Sequence, residues 1–337
     1  MAADAPITGA TIFGCAGLRL GADEAAFFRD ADPWGFILFG RNVDTPDQLR
    51  ALCADLRAAV GREAPILIDQ EGGRVQRLRA PQWREWMAPL DQAALPGAER
   101  HLWLRARLQA AELRAVGIDA NCAPTCDIAG PRTHPFLRNR CFGTDAASVI
   151  RNARATANGL LAGGVLPVIK HIPGHGRAEA DSHLHLPVVT ASADDLMATD
   201  FAPFAALADL PLGMTAHIRF TALDDAPATQ SPRMIGVIRD QIGFHGLLMT
   251  DDIGMEALAG SMADRARASI VAGCDVVLHC KGDLPAMVAV AGAAGTMTPA
   301  AAARAQAALA RRITPEAVDM RALEAELEGL LNGAEHG

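Results

Sequence analysis

Short apolar runs alternate along the chain with longer Ala-, Leu- and Arg-rich stretches of helical period. The runs are TIFGC (11–15), GFILF (35–39), PILID (65–69), GIDAN (117–121), VLPVIK (165–170), MTAHI (214–218), GLLMTD (246–251) and CDVVLHC (274–280). Between them the pattern predicts helices over Thr45–Val60, Arg100–Val116, Asp145–Gly159, Ala193–Leu207, Met234–Gln241 and Ser261–Ala272. The first of these opens T-P-D-Q, an N-cap threonine with proline at the first helical position. A last helix is expected from Thr314-Pro315-Glu316 to about Leu331.

Strands that are apolar throughout, each followed by a helix, belong to a parallel sheet covered on its outside. Eight such units favour closure into a single (β/α)8 TIM-type barrel spanning residues 1–337, with elaborated βα loops where strands lie far apart. GCAGLRLG after the first run lacks GxGxxG spacing, which argues against a dinucleotide fold.

Composition narrows the function. The chain has 337 residues, 50% hydrophobic and 21% charged, enough for a large core. A net charge of −8 is unsuited to holding nucleic acid through a basic surface. The uncharged run Leu284–Ala303 is interrupted by glycine, threonine and Pro299, so it reads as a buried helix plus a turn rather than a membrane span. MAADAPITG carries no basic residue before its first apolar stretch, which argues against a secretory signal. Seven cysteines without a CxxC pair, among them Cys15, Cys53, Cys274 and Cys280 in apolar surroundings, read as reduced core thiols of a cytoplasmic protein. No obligate protein partner is implied.

Barrels of this kind carry their active sites at the C-terminal ends of the strands, so the polar residues there matter most. Asp69 opens DQEGGRVQR, where a carboxylate can accept hydrogen bonds from vicinal sugar hydroxyls or join an internal Asp–Arg network. Lys170 and His171 open KHIPGHG, a set too rich in ionisable groups for a buried strand end unless a ligand or partner charge meets them. His175 in the same loop fits a structural role equally well. Asp181 stands two residues before His183, and a carboxylate there can fix the imidazole tautomer for proton transfer. Asp251 ends GLLMTD, placed to attack an electrophilic carbon, whereas Asp252 suits a helix N-cap. Arg140 is placed to meet an anionic or polar group, while Arg19, Arg105 and Arg107 read as solvated charge.

Several chemistries use parts of this set. A metal-dependent, amidohydrolase-like barrel would recruit His171, His183, His185, His217 and Asp251, although its HxH then lies on a late loop. An aldolase would use Lys170 as Schiff base, but no glycine-rich phosphate loop follows the seventh strand. A noncatalytic binding protein has no need of so many ionisable rim groups. Sugar hydrolysis uses the set most completely.

The segments ILFGRN (37–42), IDQEGGRVQRL (68–78), KHIPGHG (170–176), DSHLHLP (181–187) and MTDDIGMEAL (249–258) resemble the family-3 glycoside hydrolases. Within that family they are most similar to the bacterial cytoplasmic β-N-acetylglucosaminidases of peptidoglycan recycling, from about residue 10 to 320. The resemblance implies a retaining mechanism through a covalent glycosyl-enzyme. Asp251 matches the nucleophile, and His183 with Asp181 matches the loop-borne general acid/base. Asp69, Arg77, Arg140, Lys170 and His171 match the sugar-binding residues. The implied substrate is N-acetylglucosamine linked β-1,4 to an anhydro-muramyl sugar, with no metal or cofactor. Two departures stand out: Cys141 replaces a usual serine, and the absence of tyrosine leaves Phe39, Phe136 or Trp34 to stack on the sugar.

Overall fold

The structure is a computed structural model that describes residues 7–179, 182 and 185–335. Eight parallel strands close into a barrel: β1 (Gly9–Gly14), β2 (Pro33–Leu38), β3 (Ile66–Ile68), β4 (Ala120–Asn121), β5 (Leu166–Ile172), β6 (Leu212–Thr215), β7 (Leu247–Asp252) and β8 (Val276–His279). Each strand pairs with its chain neighbours, and β8 returns to β1 through Thr11–Val277 and Phe13–His279. The expected (β/α)8 barrel is therefore the observed one. Its strands read as apolar runs because both faces are covered, one by barrel interior and one by helices.

Local chemistry moves some boundaries. β4 is short because side chains take over its ladder. Asp119 Oδ1 accepts the Ile66 amide at 2.7 Å, and Asn121 exchanges hydrogen bonds with the backbone of Gln70. Pro124 then removes a donor. The helix expected over Ala193–Leu207 divides into Ala193–Ala198 and Ala202–Ala206, with Pro203 in the first turn of the second piece. Met234–Gln241 becomes a turn of α-helix, Pro232–Gly236, followed by a π-turn. The run Leu284–Ala303 forms parts of two helices, Leu284–Ala294 and Pro299–Leu309, parted at Gly295. Among the described residues no helix is long and apolar enough to cross a membrane. The last helix is Met320–Glu335, opened by Asp319 Oδ1 accepting the amides of Arg321 and Ala322, so Thr314–Glu316 stays irregular.

The βα loops build the rim. After β3, Gln70–Gly72 turns back on Val75–Gln76 as an antiparallel pair. Gly72 has φ +104°, and a Cβ there would collide with the Arg105 guanidinium, so the turn admits only glycine. After β4 a long loop carries a short helix, Pro135–Arg138. The loops after β5 and β6 join through a parallel pair, Val188–Val189 with Arg219–Phe220.

Two arginines expected on the surface are inside. Arg105 is 3% and Arg107 6% exposed, on a helix (Ala98–Ala115) that buries most of its surface between the barrel and neighbouring helices. Arg105 donates to the carbonyl of Met87 (2.9 Å), to Gln92 Oε1 (2.6 Å) and to the carbonyl of Glu71. Burial pulls its pKa down to about 9, which leaves it charged at neutral pH. It thus holds the β3 turn from below.

The top of the barrel interior is ionic rather than apolar. Lys170 Nζ, on β5, lies 2.9 Å from Asp69 Oδ1 and 2.6 Å from Glu71 Oε1. Arg140, from the β4 loop, grips Glu71 with two bonds of 2.8 Å. Arg77 donates to Asp69 Oδ2 at 2.9 Å. Lys170, Glu71 and Arg140 are each at most 8% exposed. Burial alone would raise the pKa of Glu71, but Arg140 and Lys170 hold it down to about 2. Burial opposes ionisation of Asp69 too, yet Lys170 and Arg77 keep it well below the usual carboxylate range.

Two predictions follow from these contacts. Arg105→Met should destabilise the fold by about 2–4 kcal/mol, because three buried acceptors lose their donor; urea unfolding at pH 7 measures it. Because Glu71 and Asp69 are stronger acids in the folded state, the unfolded chain binds more protons as pH falls through the ordinary carboxyl pKa of about 4. Their contribution is complete above that pH and is lost towards the folded values. The urea midpoint should therefore drop between about pH 5 and 2. Glu71→Gln should flatten part of that drop while costing about 3–5 kcal/mol at pH 7.

Candidate active site

A cavity of about 330 Å³ opens above the ionic floor at the C-terminal ends of the strands. This is a volume suited to a small ligand. Asp69, Arg77, Arg140, Lys170, His171 and Asp251 all line it. Six of the eight residues singled out for chemistry thus converge from β3, β5, β7 and the β4 loop. The other two, Asp181 and His183, lie outside the described residues; Ser182 between them is buried and lines the same cavity.

Asp251 differs from the floor carboxylates in what holds it. It accepts the Asp252 amide at 2.8 Å and makes no ion pair among the described residues. Burial would raise its pKa, but His171 and the Asp252 amide lower it below the ordinary value. The result is an ionised carboxylate with lone pairs left for a ligand. Asp252 does not cap a helix, as its position suggested. Its Oδ1 accepts the amides of Gly254 (2.9 Å) and Cys280 (3.2 Å), tying the β7 and β8 ends together.

Asp69 is part of an Asp–Arg–Lys network, so the structural reading of DQEGGR describes its contacts. It also faces the cavity, where it offers a fixed, ionised acceptor. Arg77 keeps one buried nitrogen, Nε, without a partner among the described residues. Lys170 is pushed up, not down: burial would lower its pKa, but Asp69 and Glu71 raise it above the usual lysine value. A protonated, doubly paired ammonium cannot serve as a Schiff-base amine.

Among the described residues the metal-ligand set does not assemble. His217 is fully buried, and burial keeps it neutral. Its Nε2 lies 3.0 Å from the Asp252 carbonyl and so carries the proton, while Nδ1 meets the Thr229 hydroxyl at 2.8 Å. Neither nitrogen has a lone pair for a cation. His185 is exposed and outside the cavity wall, and His183 lies outside the described residues. Among the described residues no three His, Cys, Asp or Glu side chains gather as a metal site.

Some residues at or behind the wall, Glu71 and Asp127 among them, carried no site assignment in the sequence. Glu71 supplies the counter-charge that makes a cationic floor possible, and Asp127 pairs with His171. His175 is 2% exposed with both ring nitrogens unpartnered among the described residues; burial and then His171 push its pKa down to about 4, so it is neutral. Phe39 and Phe136 line the cavity, whereas Trp34 is 2% exposed in the core and is unavailable for stacking. Cys280 lines the cavity too and is only half-buried, unlike the core thiol expected. Cys141 is buried and bonds back to the Leu137 carbonyl, so the exchange for serine keeps a local donor.

Comparison with known proteins agrees with this geometry. The profile of the glycosyl hydrolase family 3 N-terminal domain matches residues 18–314. A β-hexosaminidase of Alkalilimnicola ehrlichii is 40% identical over 290 residues, covering 81% of this chain and 81% of that protein. One of Methylococcus capsulatus is 38% identical over 280 residues, covering 80% and 82%. The crystal structure of NagZ from Neisseria gonorrhoeae in complex with N-trifluoroacetyl-D-glucosamine superposes with a TM-score of 0.84 at 31% identity, covering 96% of this chain and 98% of that one. The chain belongs to glycosyl hydrolase family 3 and is a glycoside hydrolase of its β-hexosaminidase group.

Proposed function

We propose that the protein is a retaining exo-β-N-acetylglucosaminidase that releases terminal N-acetylglucosamine from β-1,4-linked anhydro-muramyl sugars of peptidoglycan turnover. One observation carries this reading: an ionised carboxylate, Asp251, without an ion-pair partner among the described residues, shares a sugar-sized cavity with a pre-ionised polar floor. The N-trifluoroacetyl-D-glucosamine complex of the gonococcal relative supports an amino sugar as the occupant. Seven free cysteines support a reducing, cytoplasmic setting.

In this mechanism Asp69, Arg77, Lys170, Arg140 and His171 hold the terminal sugar. The floor is ionised before the sugar arrives, so little reorganisation accompanies binding. Asp251 attacks the anomeric carbon while His183 gives a proton to the departing oxygen. Asp181 keeps the His183 pKa high enough for that donation. The aglycone leaves, and neutral His183 takes a proton from water, which attacks the same carbon and frees Asp251. Two displacements at one centre retain the anomeric configuration. No metal takes part in either step.

The reaction is tested by nitrophenol release from 4-nitrophenyl N-acetyl-β-D-glucosaminide with EDTA present. Wild type should be unaffected by the chelator, and Asp251→Ala should lose about 10³-fold or more in kcat. Release by the variant at near the wild-type rate, or abolition of wild-type release by EDTA, overturns the assignment. A second series tests the proton donor. His183→Ala should cost about 10²–10⁴-fold on the natural disaccharide but far less on the aryl glycoside, whose leaving group scarcely needs a proton. Equal losses on both substrates exclude His183 as general acid.

A further inference from the structure

Asp127 stands in the loop after β4, 1% exposed, and the steps above make no use of it. Its Oδ2 lies 2.7 Å from His171 Nδ1, and its Oδ1 accepts the His175 amide at 2.6 Å. The His171 amide adds longer bonds of 3.4 and 3.3 Å to the two oxygens. Burial would raise the Asp127 pKa, but His171 and the hydrogen bond from the His175 amide lower it below the ordinary value, so the group is an anion. An ionised carboxylate only accepts, so the His171 proton must sit on Nδ1. Nε2 is then the ring atom left towards the cavity, 3.5 Å from Arg140 Nη2. Turning the ring over would strand a buried charge without its donor, which the low-dielectric setting opposes.

We infer that Asp127 is a positioning residue: it fixes the tautomer and orientation of His171, so that Nε2 alone is presented to the amino sugar. The inference rests on the proposed role of His171 in holding that sugar. Its rival is a purely structural clamp, in which Asp127 serves the loop through the His175 amide.

The discriminating variant is Asp127→Asn. The amide can still accept the His175 N–H, but its NH2 group faces His171 Nδ1 and drives the proton to Nε2. On the aryl glycoside, kcat/KM should fall about 10–100-fold with the thermal midpoint little changed. Adding Asp127→Asn to His171→Gln should cost nothing more, because the role runs through the imidazole. An unchanged kcat/KM in Asp127→Asn overturns the inference, as does an equal loss in the His171→Gln background, which assigns the clamp instead. The tautomer itself is read without substrate. In the 15N-histidine spectrum of wild-type protein, with His171→Gln used for assignment, His171 should show a protonated Nδ1. An unprotonated Nδ1 overturns the inference even if Asp127→Asn fails to fold. Inactive wild type combined with a protonated Nδ1 would instead count against the proposed reaction.

Discussion

The barrel's catalytic end depends on the pairing of Glu71 with Arg140 and Lys170. Each of these side chains is expensive to bury alone, and with Asp69 included two anions balance the two cations. Glu71 is the pivot, since it takes two bonds from Arg140 and one from Lys170. That arrangement lets Lys170 also hold Asp69, and Asp69 in turn holds Arg77. Three barrel segments, the β3 turn, the β4 loop and β5, are thereby tied to one another by ion pairs. The ligand cavity is the space above this plug.

The same physics separates the carboxylates into two classes. Asp69 and Glu71 are saturated by cations and act as fixed polarity. Asp251 is held mainly by one amide and by more distant charges, so its lone pairs are uncommitted. Carboxylates at the ends of different strands thus differ in reactivity through their partners. His171 and His217 show the parallel contrast. Both are buried, but His217 spends both nitrogens on Thr229 and the Asp252 carbonyl, whereas His171 keeps Nε2 towards the cavity.

Much of this was legible in the chain. Barrel strands buried on both faces announce themselves as apolar runs, and all eight appear within a few residues of the expected places. Six of the proposed site residues line one cavity because strand ends share a rim. What the sequence hid was pairing across distance. Arg140 and Glu71 are 69 positions apart, and Asp127 and His171 are 44 apart, with no local pattern linking them. Arg105 was misread for a different reason. Residues at helical spacing on its face, His101, Leu102 and Leu108, are all buried, and that periodicity outweighs the usual preference of arginine for water. The split at Pro203 was likewise visible, since proline rarely continues a helix.

The ionic plug also constrains how such a site can change over time. Replacing Glu71 strands two cations, and replacing Arg140 or Lys170 leaves an acid unbalanced, so each single step passes through a destabilised intermediate. The uncharged wall residues Met214, Met255 and Leu278 line the same cavity and carry no such debt. Divergence towards other glycosides would therefore be channelled into the walls, with the floor inherited as a block.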